Sequence, residues 1–68
     1  MRVAVIGAGS MGGMHADLLG GMEGVGELLV VDADETRAAS VAERSGGRPA
    51  SFATVVGEAD AMVVATPP

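Results

Sequence analysis

The sequence predicts an α/β fold in which a parallel sheet of about four strands carries helices on both faces. Two observations support it. Short β-branched runs alternate with segments of helical periodicity along the whole chain. These runs are apolar at consecutive positions, which is typical of strands buried on both faces. Crossovers between the parallel strands are expected to be right-handed. The expected strand order is 3-2-1-4.

The first strand and the first helix are predicted from residues 2–20. Residues 2–6 form a β-branched run that stops at Gly7, and helical spacing begins at Ser10. Gly20 and Gly21 then end the helix. The larger apolar side chains of this helix recur on one stripe, which we expect to face the core. They are Met11, Met14, Leu18 and Leu19.

The second strand and the second helix follow the same plan. Residues 27–31 are an apolar run, and Asp34 is the expected N-cap of the next helix. Glycines at 46 and 47 stop that helix. Its expected buried stripe is small and aliphatic, formed by Ala38, Val41 and Ala42.

The last third of the chain predicts an edge strand, a short helix and a final strand. Residues 48–51 are a weak strand, since Pro49 suits only an edge. Ser51 can cap a helix over residues 52–58, with Phe52 as the expected core plug beneath it. Residues 61–65 are a final apolar strand, and we expect its open edge to self-associate or to pair with a missing C-terminal half.

Composition excludes several classes of protein. The chain has 68 residues, 49% of them hydrophobic, with a mean hydropathy of +0.42, so it is not an ordinary disordered segment. It lacks cysteine, which excludes disulfides and thiolate metal sites. A net charge of −5 disfavours nucleic acid as a partner. No apolar run is long enough for a membrane span, and we expect a cytoplasmic protein.

A glycine-rich loop follows the first strand and matches G-x-G-x-x-G over residues 7–12. Gly7 allows the tight turn, Gly9 lets a pyrophosphate approach the backbone, and Gly12 lets the helix pack close to the strand. The backbone N–H groups at the helix start, at Ser10 and Met11, suit phosphate. The pattern therefore predicts a dinucleotide site in a partial Rossmann fold.

An acidic residue at the end of the second strand strengthens this prediction. Asp32 follows Gly12 by 20 residues, where a carboxylate accepts hydrogen bonds from the adenosine ribose. It would repel a 2′-phosphate, so NAD is favoured over NADP. Arg37 is close enough in sequence to favour NADP instead, and Ala33 lies between them. An FAD site, a methyl-donor site and a generic strand-to-helix turn remain open alternatives.

The chain resembles the N-terminal end of the Gfo/Idh/MocA oxidoreductase family, which includes enzymes like glucose–fructose oxidoreductase and inositol dehydrogenase. The resemblance lies in residues 3–12 with His15, in Val-Val-Asp at 30–32, and in Ala-Asp-Ala-Met-Val-Val-Ala-Thr-Pro-Pro at 59–68. It implies hydride transfer between NAD(P) and a sugar or polyol hydroxyl. It also implies that Thr66 and Pro67 lie beside the ribose and nicotinamide half of the cofactor, where Ala65 leaves the sheet.

The chain departs from that family in its catalytic residues. The family's Glu-Lys-Pro motif is missing, and the chain has no lysine at all. We therefore expect residues 1–68 to be the N-terminal part of a dinucleotide-binding domain, with the substrate domain absent and no catalytic residue. A stand-alone nucleotide-binding or regulatory module, completed by a partner chain or by self-association, is the alternative.

Overall fold

The computed structural model describes residues 1–65, except for the side chains of Ser10 and Met11. Thr66 and Pro67, both predicted to contact a cofactor, lie outside the described residues. Strands and helices alternate along the chain as predicted. The elements are β1 (Arg2–Ile6), α1 (Ser10–Gly20), β2 (Glu27–Val31), α2 (Glu35–Ser45), β3 (Arg48–Pro49), α3 (Phe52–Glu58) and β4 (Ala61–Val64).

All strand pairs of the sheet are parallel, and the strand order is β3-β2-β1-β4. This confirms the predicted α/β fold and its order. Strand β1 is central: Ile6 is in register with Val31 of β2 and with Val64 of β4. The carboxyl ends of β1, β2 and β4 therefore meet at one edge of the sheet.

Helices cover both faces of the sheet, as expected. Helices α1 and α2 pack on one face, where Ala16 and Val41 belong to one core cluster with Val5 and Val30. Helix α3 packs on the other face through Val55, in a smaller cluster with residues of β1 and β2. These residues are Ala4, Leu29 and Val31.

The predicted apolar stripe of α1 is wrong at Met14 and Leu18, whereas the partly buried Leu19 packs against the core as expected and the Met11 side chain lies outside the described part of the chain. Met14 and Leu18 are 53% and 63% exposed, whereas Gly12, Gly13 and Ala16 are buried. The reason is a close approach between helices: a Cβ on Gly20 would overlap the backbone carbonyl oxygen of Ser45 in α2. Small residues thus face the core together with Leu19, and the side chains of Met14 and Leu18 point outward.

Phe52 is not the core plug that we expected. Its side chain is 56% exposed, while Val55, three residues later, is fully buried. Since α3 has only 7 residues, a single residue supplies its buried contact, and Val55 occupies that position. Phe52 instead begins the helix at the carboxyl edge of the sheet, where it lines a cavity with Ala33.

The two edges of the sheet differ. Strand β3 forms one edge with 2 residues, one of them Pro49, as the sequence predicted. Strand β4 forms the other with 4 uncharged residues, and Met62 and Val64 are exposed on the α3 side. Among the described residues, no helix has the length and apolar character to cross a membrane.

Candidate functional site

The loop between β1 and α1 is attached to the end of β2. Gly7 has a φ of 101°, a left-handed conformation that glycine adopts without strain. Its N–H donates to the carbonyl oxygen of Val31 at 2.7 Å. The chain thus turns sharply at the carboxyl end of β1, and the following residues, Ala8 and Gly9, lie above that end of the sheet.

Gly12 is required where α1 crosses this loop. A Cβ at Gly12 would overlap the carbonyl oxygen of Gly7, which is backbone and cannot swing aside. The same position lies 3.6 Å from the Cβ of Ala65, just beyond β4. The first turn of α1 is therefore in close contact with the ends of both β1 and β4.

Gly9 is exposed and borders open space. It is the N-cap of α1 with a φ of −72°, and a Cβ built on it would meet nothing within 4 Å. The first helical hydrogen bond runs from the Gly13 N–H to the Gly9 carbonyl at 2.7 Å. The N–H groups of the preceding helical residues have no intrahelical partner and carry the positive end of the helix dipole.

Asp32 lies beside this loop with a side chain that is only 13% exposed. Its Oδ2 accepts a hydrogen bond from the Ala8 N–H at 2.7 Å, and its Oδ1 accepts one from the Asp34 N–H at 2.8 Å. These hydrogen bonds, that from Ala8 first, hold the pKa of Asp32 below its ordinary value. The group is therefore a carboxylate at neutral pH.

Arg37 forms only a long ion pair with Asp32. Its Nη1 lies 3.9 Å from the Asp32 Oδ2, and its side chain is more than half exposed. An exposed pair at this distance stabilises a fold by less than about 1 kcal/mol. The guanidinium therefore stands near the carboxylate without being fixed by it.

Two grooves lie beside Asp32. One, of about 650 Å³, has a mainly apolar lining that includes Ala33, Pro49 and Phe52 with Asp32 at its border. The other, of about 1100 Å³, runs between α1 and α2, from Gly9 and Arg37 at their starts to Asp17 and Arg44. The apolar groove borders Asp32 itself, and the second groove is lined by Ala8 and Asp34, whose N–H groups donate to the Asp32 carboxylate.

The described residues with predicted site roles converge on the carboxyl edge of the sheet. They are Gly7, Gly9, Gly12, Asp32, Ala33, Arg37 and Ala65. Sequence reasoning missed the N–H groups of Ala8 and Asp34, and the place of Phe52 in the apolar groove. The sequence signal for Phe52 was its position shortly after the edge strand β3, because residues that follow parallel strands lie at the carboxyl edge of the sheet.

Comparisons with known proteins add no identification. No family model matches the chain, and neither a curated protein nor a solved structure matches it. Within the described part of the chain, no group of three His, Cys, Asp or Glu residues could hold a metal ion. The geometry of the site is therefore the basis for its function.

Proposed function

We propose that this chain binds a dinucleotide, NAD in preference to NADP, as the nucleotide-binding portion of an oxidoreductase. One observation carries the proposal. The open backbone at Gly9, in front of the α1 N-terminus, lies next to the Asp32 carboxylate at the carboxyl edge of a parallel sheet. Ligands of such sheets bind at this edge, where the strand order reverses.

The phosphate end of the ligand would lie against Gly9. No atom lies within 4 Å of the position that a Cβ on Gly9 would occupy, so a pyrophosphate could approach this backbone closely. No acidic side chain stands in the first turn of α1 to repel an anion. The helix dipole and the N–H groups without an intrahelical partner attract the phosphate, so a lysine or arginine side chain is not needed for this purpose.

The adenosine end would lie across Asp32. Each ribose hydroxyl can donate a hydrogen bond to a carboxylate oxygen, because an ionised carboxylate has about four acceptor positions and two are already used. The apolar groove beside Ala33 and Phe52 is of a kind that suits a flat heterocycle such as adenine. A partly exposed phenylalanine offers a ring for stacking.

The choice of NAD over NADP follows from charge. A 2′-phosphate would stand next to the Asp32 carboxylate, whose pKa is lowered, and like charges repel. Arg37, whose Nη1 is 3.9 Å from Asp32, could offset part of this repulsion, but the carboxylate is held in place by two backbone hydrogen bonds and does not turn away. NADP should therefore bind more weakly than NAD.

The oxidoreductase part of the proposal rests on the resemblance to the Gfo/Idh/MocA family. That resemblance implies hydride transfer to or from a sugar or polyol hydroxyl. The bound cofactor would supply the hydride chemistry, and the residues described above would bind and orient it. Since the chain has no lysine, and therefore lacks the family's Glu-Lys-Pro motif, we assign no catalytic residue.

The second candidate is a stand-alone nucleotide-binding module that a partner chain or a second copy completes. The uncharged edge of β4, with Met62 and Val64 exposed, favours it. Val64→Lys would disfavour strand pairing at this edge. A module completed by a second copy would form a defined oligomer that Val64→Lys converts to monomer, as judged by sedimentation, whereas a wild-type monomer would contradict completion by a second copy.

Calorimetric titration with NAD tests the first proposal. Saturable binding should be lost in Gly9→Val, since the side chain would fill the space that the pyrophosphate needs. It should weaken in Asp32→Ala. NADP, FAD and a sulfonium methyl donor are the comparison ligands. A folded chain, by circular dichroism, that binds FAD or the methyl donor more tightly than NAD would overturn the assignment.

A further inference from the structure

We propose that Asp32 is also a positioning residue, whose carboxylate holds the phosphate loop in shape before any ligand binds. This inference rests on the proposed function and deepens it. Its consequence is that binding of a bare pyrophosphate, which has no ribose, should depend on Asp32. A residue that only accepts hydrogen bonds from ribose would have no such effect.

The carboxylate joins two loops that are distant in sequence. Its Oδ2 accepts from Ala8, 24 residues earlier, while its Oδ1 accepts from Asp34 at the start of α2. Both distances, 2.7 and 2.8 Å, are short for bonds from N–H groups, as expected for a charged acceptor. One side chain thereby connects the phosphate loop with the turn after β2.

Ala8 depends on this bond. The residue is 3% exposed, so water cannot readily replace the carboxylate as partner of its N–H. Two other described hydrogen bonds hold the loop, from the Gly7 N–H to Val31 and from the Gly13 N–H to Gly9, and neither involves the Ala8 N–H. Gly7 itself restrains the turn little, since glycine tolerates several backbone conformations. Without Asp32, the orientation of the Gly7–Ala8 peptide, and with it the position of the following Gly9, would no longer be fixed.

Few charged side chains lie near the Asp32 carboxylate. Arg37 of α2 is at 3.9 Å, and the Asp34 carboxylate is turned to the Arg37 N–H. Glu35 borders the same apolar groove. The phosphate loop, residues 7–9, and the first turn of α3, which begins at Phe52, contribute no titratable side chain. The charge state of Asp32 is thus governed mainly by its two backbone hydrogen bonds.

Electrostatics and positioning predict opposite results for a neutral replacement. Removing a negative charge near an anion site should strengthen binding of an anion. Losing the hydrogen bond from the Ala8 N–H to Asp32 should weaken it, because a displaced Gly7–Ala8 peptide no longer holds Gly9 in position for the phosphate. The sign of the change therefore separates the two roles.

The experiment is calorimetric titration of the full chain with inorganic pyrophosphate. We expect Asp32→Asn and Asp32→Ala to lower the affinity at least about tenfold, the loss typical of a hydrogen bond to a charged group. Asp60→Asn is the matched control, because Asp60 also accepts a backbone N–H, that of Arg2 at 2.6 Å. Its affinity should equal that of wild type. Equal or tighter binding by the Asp32 variants would overturn the proposal.

A second measurement needs neither a variant nor a ligand. In wild-type chain, the amide proton resonance of Ala8 should titrate with the Asp32 carboxyl group, at a pH below the ordinary aspartate range. An Ala8 resonance whose chemical shift does not follow this titration would contradict the positioning role of Asp32. If wild type binds neither pyrophosphate nor NAD, the proposed function fails. The Ala8 titration would still decide whether Asp32 holds the loop.

Discussion

Helices α1 and α2 pack on the same face of the sheet and each follows a parallel strand, yet they begin differently. Helix α2 has its own cap: the Asp34 carboxylate accepts the Arg37 N–H at 3.1 Å, and Glu35 stands in the first turn. Helix α1 begins at Gly9, which has no side chain to cap it, and has no acidic residue in its first turn.

A capped helix start stabilises its own helix, whereas a start without a side-chain cap is available to a ligand. The cap of α2 satisfies the Arg37 N–H, and Glu35 places negative charge at the positive end of the helix dipole. Helix α1 has no side-chain cap, and tertiary packing through Gly12, Gly13 and Ala16 holds it in place. A helix start that lacks its own cap is where an external anion can bind.

The largest expected effect is on stability, from Gly12→Ala. The new Cβ would meet the Gly7 backbone, so the free energy of unfolding should fall by about 3 kcal/mol or more. Gly57→Ala in α3 is the control. A Cβ there meets nothing within 4 Å, and replacing a helical glycine should stabilise by about 0.5–1 kcal/mol. Urea unfolding measures both, and equal stability of the two variants would refute the close packing.

Gly9→Ser gives α1 the cap that it lacks. Since no atom lies within 4 Å of the new Cβ, unfolding free energy should stay within about 1 kcal/mol of wild type or rise slightly. NAD affinity should nevertheless fall at least about tenfold, because the side chain occupies the pyrophosphate's approach. Calorimetry and urea unfolding on one sample check this. Undiminished NAD binding would mean that the α1 start is not the phosphate site.

Asp34→Ala removes the cap from α2 and should lower the free energy of unfolding by about 1 kcal/mol. NAD affinity should change little, since the Asp34 N–H that Asp32 accepts belongs to the backbone. Ser51→Ala, which removes the α3 cap, should cost a similar amount. A large loss of NAD affinity in Asp34→Ala alone would show that the two helix starts are not independent.

The smallest effect is the pH dependence due to Asp32. Its pKa is lower in the folded chain, so the carboxylate stabilises the fold fully above about pH 4, its unfolded value. This stabilisation is lost as the pH falls through the folded-state pKa. The stability difference between wild type and Asp32→Asn should therefore shrink on acidification. Urea midpoints at pH 7, 5 and 3 would measure it, and a constant difference would argue against the lowered pKa.

Much of the fold could be predicted, because strand and helix periodicities are local in sequence. The edge position of Pro49 and the caps at Asp34 and Ser51 are local signals too, and the structure agrees with each. The G-x-G-x-x-G spacing and Asp32 indicated the site for the same reason. What failed was the buried side of α1, because periodicity alone does not say which neighbours a helix will meet.

The sequence by itself determined the alternation of elements, the parallel sheet and the glycine spacing of residues 7–12. Only the tertiary structure decided that Met14 and Leu18 face outward, since the close crossing of Gly20 over Ser45 leaves little room for large side chains between the helices. It also decided that Asp32 bonds to Ala8, because two strands in register bring together groups that are 24 residues apart. Contacts of this kind depend on distances between elements, which no local pattern contains.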